Sequence, residues 1–223
     1  MTKAQRLVER IRAHNRERAI AAHRMLNPPL IFGEPATIVR DSFNRPNAAS
    51  LGNAETGQPW TATLQSWGIV SGAAYRTDTN ASRGAADIEC NVADVDLEYV
   101  YTYGADNEQG EGTLRLTNSN NYITAGIERN SVTLGNVFIG SFQAAAWGGY
   151  VAQVANPWTI GQDYLIRIVA NGTLISVFVN GVLLASGTIA FNQTATRHGI
   201  GAFHDAPAGA YVGRFKSLII KRV

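Results

Sequence analysis

"DYLIRIVANGTLISVFVNGVLLASG", residues 163–187, holds three β-rich runs separated twice by Asn-Gly. Asn-Gly readily takes the positive φ angles of a two-residue type I′ hairpin, so strands are predicted near 163–170, 173–179 and 182–186 as an antiparallel meander. In the middle run Ile175, Val177 and Val179 share one face and can enter a core. Leu174 and Phe178, on the other face, are apolar too, where a sheet with one wet side should be polar. A loop or a second subunit is therefore expected over that face.

The same grammar continues in both directions. Strands are predicted at 38–43, 66–70, 73–77, 86–92, 95–103, 112–117, 121–128, 131–134, 198–203 and 211–222, and no helical pattern follows residue 26. With 22 glycines in 223 residues to serve tight turns, about a dozen short strands imply an all-β fold, two antiparallel sheets packed as a jelly-roll sandwich over residues 38–223. The Gly-rich "AAAWGGYVAQVANPW", 144–158, is expected to form a loop above a sheet. The polar "DSFNRPNAASLGNAETGQPWTAT", 41–63, reads as rim, anchored by Phe43, Leu51 and Trp60.

The N-terminal region differs. Residues 1–26 carry seven basic residues against two acidic ones, +5, while the rest of the chain is −3. Ala4, Leu7, Val8 and Ile11 fall on one helical face, and Ala19, Ile20 and Leu26 resume it, so a basic, imperfectly amphipathic helix is predicted over 1–26. "NPPLIFGEP" stops it and opens a Pro-rich linker, 27–37. An isolated helix of this length is only marginally stable and needs a partner surface. Docking by charge and apolar burial, through Arg6, Leu7, Arg10, Ile11, Arg18 and Ile20, ranks ahead of phosphate contacts, so nucleic acid is not the expected partner.

Composition removes several classes. Cys90 is the sole cysteine, so neither an intramolecular disulfide nor a thiolate metal site is available. The charged start lacks the apolar run of a signal peptide, and no stretch approaches the roughly 18 apolar residues of a membrane span, so synthesis in the cytoplasm and no membrane association are expected. No nucleophile elbow or phosphate-cradling loop is present. His14, His23, His198 and His204 have no metal-ligand spacing. No metal site is expected, although Asp78, Asp87 or Asp205 could serve calcium on a rim.

"DSFNR", "GTLRLTNSNNYITAGI", the 163–187 meander, "GIGAF" and "FKSLII" together resemble the concanavalin A-like lectin and glucanase superfamily, particularly its laminin-G-like modules as found in bacteriophage tail and other virion proteins. The resemblance covers roughly 38–223 and specifies fold better than activity. It implies a non-enzymatic virion protein. Such a protein would decorate capsid or tail, anchored through residues 1–26 to other virion proteins, with a lectin-like domain for host-surface glycan. No cofactor is implied. Weak sugar contacts gain avidity when repeated, so a symmetric homo-oligomer such as a trimer is expected.

The alternative is a laminarinase-type glycan hydrolase. "DVDLE" is similar to the Glu-x-Asp-x-Glu strand of those enzymes and would assign catalysis to Asp94, Asp96 and Glu98. The first acid is one methylene short, and retaining hydrolysis needs carboxyl groups about 5–5.5 Å apart. The same alternation is what a solvated strand face gives, and that reading is preferred. For sugar binding, where an aromatic plate meets the apolar side of a pyranose, the candidates are Trp147, Tyr150, Trp158 and Trp60.

Overall fold

The computed structural model describes residues 35–79, 82–204 and 212–223. The basic helix predicted over 1–26, with its six candidate anchor residues, lies outside the described residues, as does Asp205. Fifteen strands are described: β1 (Thr37–Asp41), β2 (Thr61–Leu64), β3 (Trp67–Val70), β4 (Ala73–Arg76), β5 (Arg83–Glu89), β6 (Val95–Thr102), β7 (Glu108–Asn118), β8 (Asn121–Arg129), β9 (Gly135–Gln143), β10 (Ala146–Ala155), β11 (Asp163–Asn171), β12 (Leu174–Val179), β13 (Val182–Thr188), β14 (Arg197–His204) and β15 (Arg214–Arg222). They form two antiparallel sheets. One has eight strands, ordered β13-β12-β11-β6-β15-β4-β3 with β1 also on β15; the other has seven, ordered β10-β9-β8-β7-β14-β5-β2. This is the predicted all-β sandwich. Among the described residues no helix is long and apolar enough to cross a membrane.

Alternation builds the core. Along β6, Val95, Leu97, Tyr99 and Tyr101 are buried while Asp96, Glu98, Val100 and Thr102 face outward, as period-2 geometry requires. Tyr101 meets Phe215 at 4.9 Å and the edge of Tyr103 at 5.0 Å between ring centroids. The Tyr99 hydroxyl donates to the Gly110 carbonyl at 3.0 Å, tying β6 of one sheet to β7 of the other. Gly110 faces these rings. A Cβ there would stand 2.5 Å from Tyr101, so only glycine permits this approach of the sheets.

The three-stranded meander forms, with its second Asn-Gly turn as predicted and its first shifted by one residue, because Asn171 stays in β11 and pairs with Leu174. Asn180 and Gly181, at φ 50 and 82, make the two-residue loop between β12 and β13, and Gly172 at φ 54 opens the one before β12. The rim segment buries Phe43 and Leu51, and buried Asp41 accepts hydrogen bonds from Arg45 and from the Trp60 indole.

Three expectations are corrected. Residues 131–134 are a turn, in which Ser131 N donates to Leu134 O, and the strand begins at Gly135. Neither the short β2 nor β9 was predicted. Most consequential, 146–155 is not a loop but the edge strand β10, hairpinned onto β9. Its turn is Ala144-Ala145, both at positive φ, 50 and 67, where alanine is disfavoured. The neighbouring β7–β8 turn holds it: Ala144 N donates to Asn121 Oδ1 and Ala145 N to Asn120 O, each at 3.0 Å.

On the outer face of the meander, Phe178 is half-buried under the Arg167 guanidinium, 5.2 Å from its ring centre, and Arg167 is held by Asp96 at 2.7 and 2.8 Å. Leu174 is exposed in the single chain. Part of the expected cover thus comes from a side chain of the same sheet.

His198 on β14 is fully buried, with Nδ1 accepting from Arg115 N and Nε2 donating to Val92 O. Burial pushes its pKa down from 6.5 to about 4; the Arg115 charge adds to this, against the opposing Val92 hydrogen bond. The unfolded chain therefore takes up a proton that the folded chain refuses, and stability falls as pH drops from 6.5 towards 4, by roughly 1.4 kcal/mol per pH unit at the steepest. His198→Gln keeps one donor and one acceptor but does not titrate. Thermal melts between pH 7 and 4.5 should show a steeper fall for wild type than for the variant; parallel curves would contradict the assignment.

Candidate functional site

The face of the seven-stranded sheet turned away from the core is where the chemistry collects. Register places Arg83 of β5 opposite Phe203 of β14, Phe203 opposite Gln109 of β7, Gln109 opposite Glu128 of β8, and Glu128 opposite Asn136 of β9, one continuous row across five strands. A further row brings together Tyr122, Phe142 and Trp147 of β8, β9 and β10. Between them lies a cavity of about 460 Å³, lined by Arg83, Gln109, Glu128, Phe142, Trp147 and Tyr150 among others. This size suits a small ligand.

Its aromatic side is a connected set. Tyr122 stacks on Phe142 at 5.0 Å, Phe142 meets Trp147 at 5.1 Å, and Tyr150 meets the edges of both Trp147 (5.2 Å) and Phe138 (5.8 Å). Trp147, 36% exposed, lies over Gly140, where a Cβ would come within 2.1 Å of its ring. The Arg83 guanidinium sits 4.8, 5.2 and 5.1 Å from the rings of Phe142, Trp147 and Phe203.

Its polar side is organised by two carboxylates. Buried Glu111 of β7 pairs with Arg83 and accepts from the Thr124 hydroxyl. Glu128, 3% exposed, accepts from Gln109 Nε2 at 3.0 Å, Asn136 Nδ2 at 2.5 Å, Gln153 Nε2 at 3.2 Å and the Tyr150 hydroxyl at 3.1 Å. Burial pushes the Tyr150 phenol up to about 12, with the Glu128 charge beside it adding to the rise. These bonds fix the side chains that surround the cavity, the pre-organisation that a recognition site needs.

Of the sequence-predicted aromatics, Trp147 and Tyr150 line this cavity. Trp158 is buried, its indole donating to Asn136 O and its ring against Tyr164. Trp60 packs beside Phe43 on the rim with its indole bonded to Asp41. Neither joins Trp147. The alternative catalytic set lies elsewhere: Asp96 and Glu98 face outward from β6 in the eight-stranded sheet, Asp96 clasped by Arg167, and Asp94 just before the strand pairs with Arg115 at 2.7 Å. The sandwich core separates Asp96 and Glu98 from the cavity, and Asp94 does not line it. Asp78 pairs with Arg76 and Asp87 with Arg197, and among the described residues no three metal-ligating side chains come together.

Arg83, Glu111, Glu128, Phe142 and Phe203 were not foreseen from sequence. One available signal was the alternation in "EQGEGT", whose glycines face inward and so leave Gln109, Glu111 and Thr113 on one outer face.

No family model matches the sequence, and no curated protein matches it. Solved structures are similar in fold. They include the carbohydrate-binding module CBM66 from Bacillus subtilis (15% identity, 74% of this chain and 92% of that chain, TM-score 0.53), the CBM2 module of the evolved Dit of Lactobacillus casei BL23 phage J-1 (14%, 82% and 94%, TM-score 0.52) and a Bacillus licheniformis β-glucanase (11%, 86% and 100%, TM-score 0.54). The fold is thus the concanavalin A-like jelly roll that the sequence resemblance implied. At such identities the likeness speaks for fold alone.

Gly140→Ala should force Trp147 off the sheet, because the Gly149 carbonyl, 2.9 Å from the new Cβ, closes the other side. The expected outcome is a loss of about 1–3 kcal/mol in denaturant titration with a red-shifted tryptophan emission. Unchanged emission and stability would place Trp147 elsewhere.

Proposed function

We propose that this protein is a non-enzymatic, lectin-like module of a bacteriophage particle that holds a host-surface glycan in the aromatic trough of its seven-stranded sheet. One observation carries the reading: Trp147, Phe142 and Tyr150 form an aromatic wall facing the hydrogen-bonding groups of Gln109, Gln153 and Glu128 across one cavity. A pyranose has that same division, an apolar face of C–H groups and an equatorial belt of hydroxyls. The fold shared with modules described as carbohydrate-binding, one of them from a phage Dit, supports it. The basic segment 1–26 supplies the attachment to neighbouring virion proteins, and several copies on one particle give weak sites avidity.

A hydrolase would be expected to use Glu111 and Glu128, which share the outer face of adjacent strands. Both carboxylates, however, are engaged as acceptors, Glu111 by Arg83 and Thr124 and Glu128 by four donors. Neither is poised to protonate a leaving group, the step that glycoside hydrolysis requires.

On a glycan microarray the wild-type protein should bind a defined set of saccharides and release no reducing ends from them. Trp147→Ala should weaken that binding about tenfold or more, roughly 1.4 kcal/mol, with far-UV circular dichroism unchanged; Asp96→Asn should not. Turnover that disappears in Glu111→Gln or Glu128→Gln would contradict the non-enzymatic reading. Deletion of residues 1–26 should abolish incorporation into particles while leaving glycan binding intact, and incorporation of the truncated chain would remove the anchor role.

A further inference from the structure

We propose that the trough selects neutral saccharides and rejects those bearing a carboxylate, a charge rule that rests on the sugar-binding reading of the same site. Among the described residues lining the cavity, Arg83 and Glu128 carry charge. Arg83 is the group that would be expected to welcome an acidic sugar, but it is already committed. Its guanidinium is paired with buried Glu111, its side chain is 15% exposed, and three aromatic rings enclose it at 4.8–5.2 Å. Among the described residues Glu128 has no cation of its own. Its four donors, Gln109, Asn136, Gln153 and Tyr150, are all neutral. The nearby Arg129 is paired with Asp106 at 2.6 Å and donates to Trp158 O, away from Glu128.

Among the described residues, the two carboxylates Glu111 and Glu128 stand against the one guanidinium of Arg83 and leave the trough with an excess negative charge. A ligand carboxylate entering it would lose its water, meet Glu128 at close range and find the one lining cation engaged. Like charges in a partly desolvated site repel far more strongly than in bulk water. Hydroxyl groups meet no such barrier, since Asn107, Asn130, Gln153 and Tyr150 offer amide and hydroxyl partners around the same space. Glu128 is the specificity determinant, and it acts by exclusion as much as by attraction.

The test uses the full chain and two matched ligand series, galacto- and gluco-oligosaccharides and the corresponding uronic-acid oligomers of equal linkage and length, titrated by calorimetry. Wild type should bind a neutral member about tenfold or more tightly than its uronate counterpart. Glu128→Gln should narrow that gap by about tenfold. Gln153→Lys, which keeps the Glu128 carboxylate but sets a cation beside it in place of a neutral donor, should narrow it too. Uronates bound as tightly as neutral sugars, with Trp147→Ala abolishing both, would overturn the charge rule and leave the site standing. An unchanged gap in both variants would also overturn it. Binding of neither series by wild type would remove the site itself, and the rule with it.

Discussion

Arg83 is held in place by Glu111, and the candidate site depends on that pair. A carboxylate buried on the outer face of a sheet needs a cation or a full set of hydrogen bonds, since an unpaired buried charge costs several kcal/mol. Thr124 and Arg83 supply them. Once the guanidinium is fixed there, its faces become packing surface for Phe142, Trp147 and Phe203, and the aromatic wall has something rigid to lean on. The trough is thus assembled from a charge pair outward, with Gly140 leaving room for Trp147 on the neighbouring strands.

The two sheets divide the work. The outer face of the eight-stranded sheet carries exposed pairs, Arg167 with Asp96 and Lys216 with Asp163, each open to water and worth little individually. The seven-stranded sheet buries its polar groups instead. Glu111, Glu128, Gln109 and Thr124 all lie on its outer face at 8% exposure or less, in two hydrogen-bonded sets, Thr124 on Glu111 and Gln109 on Glu128. Networks of that kind hold their members in one geometry, which sets this face apart from an ordinary solvated strand.

Much of the fold was legible because local chemistry and tertiary structure agree. Asn180-Gly181 takes the positive φ pair that it advertises, and β6 and β12 alternate as half-buried strands should. The β9–β10 hairpin was illegible for a specific reason. Its Ala-Ala turn carries no turn signal and exists because Asn120 and Asn121, from another hairpin, hold its backbone. That hairpin presents Trp147 and Tyr150, so reading it as a loop still singled out two aromatics that line the cavity but hid the sheet beneath them. The remaining site residues come from β5, β7, β8 and β14, and no local pattern ties Arg83 to Glu111 or Gln109 to Glu128. Their meeting is a property of strand order.

The four tryptophans offer the most direct test. The indoles of Trp60, Trp67 and Trp158 donate to Asp41, Leu64 O and Asn136 O, whereas Trp147 stands at the cavity. In a ¹H–¹⁵N spectrum titrated with a neutral oligosaccharide, the account predicts a saturable shift of the Trp147 indole signal while the other three hold still. Saturable shifts confined to the other indoles, or to amides of the Asp96–Arg167 face, with Trp147 unmoved, would contradict it.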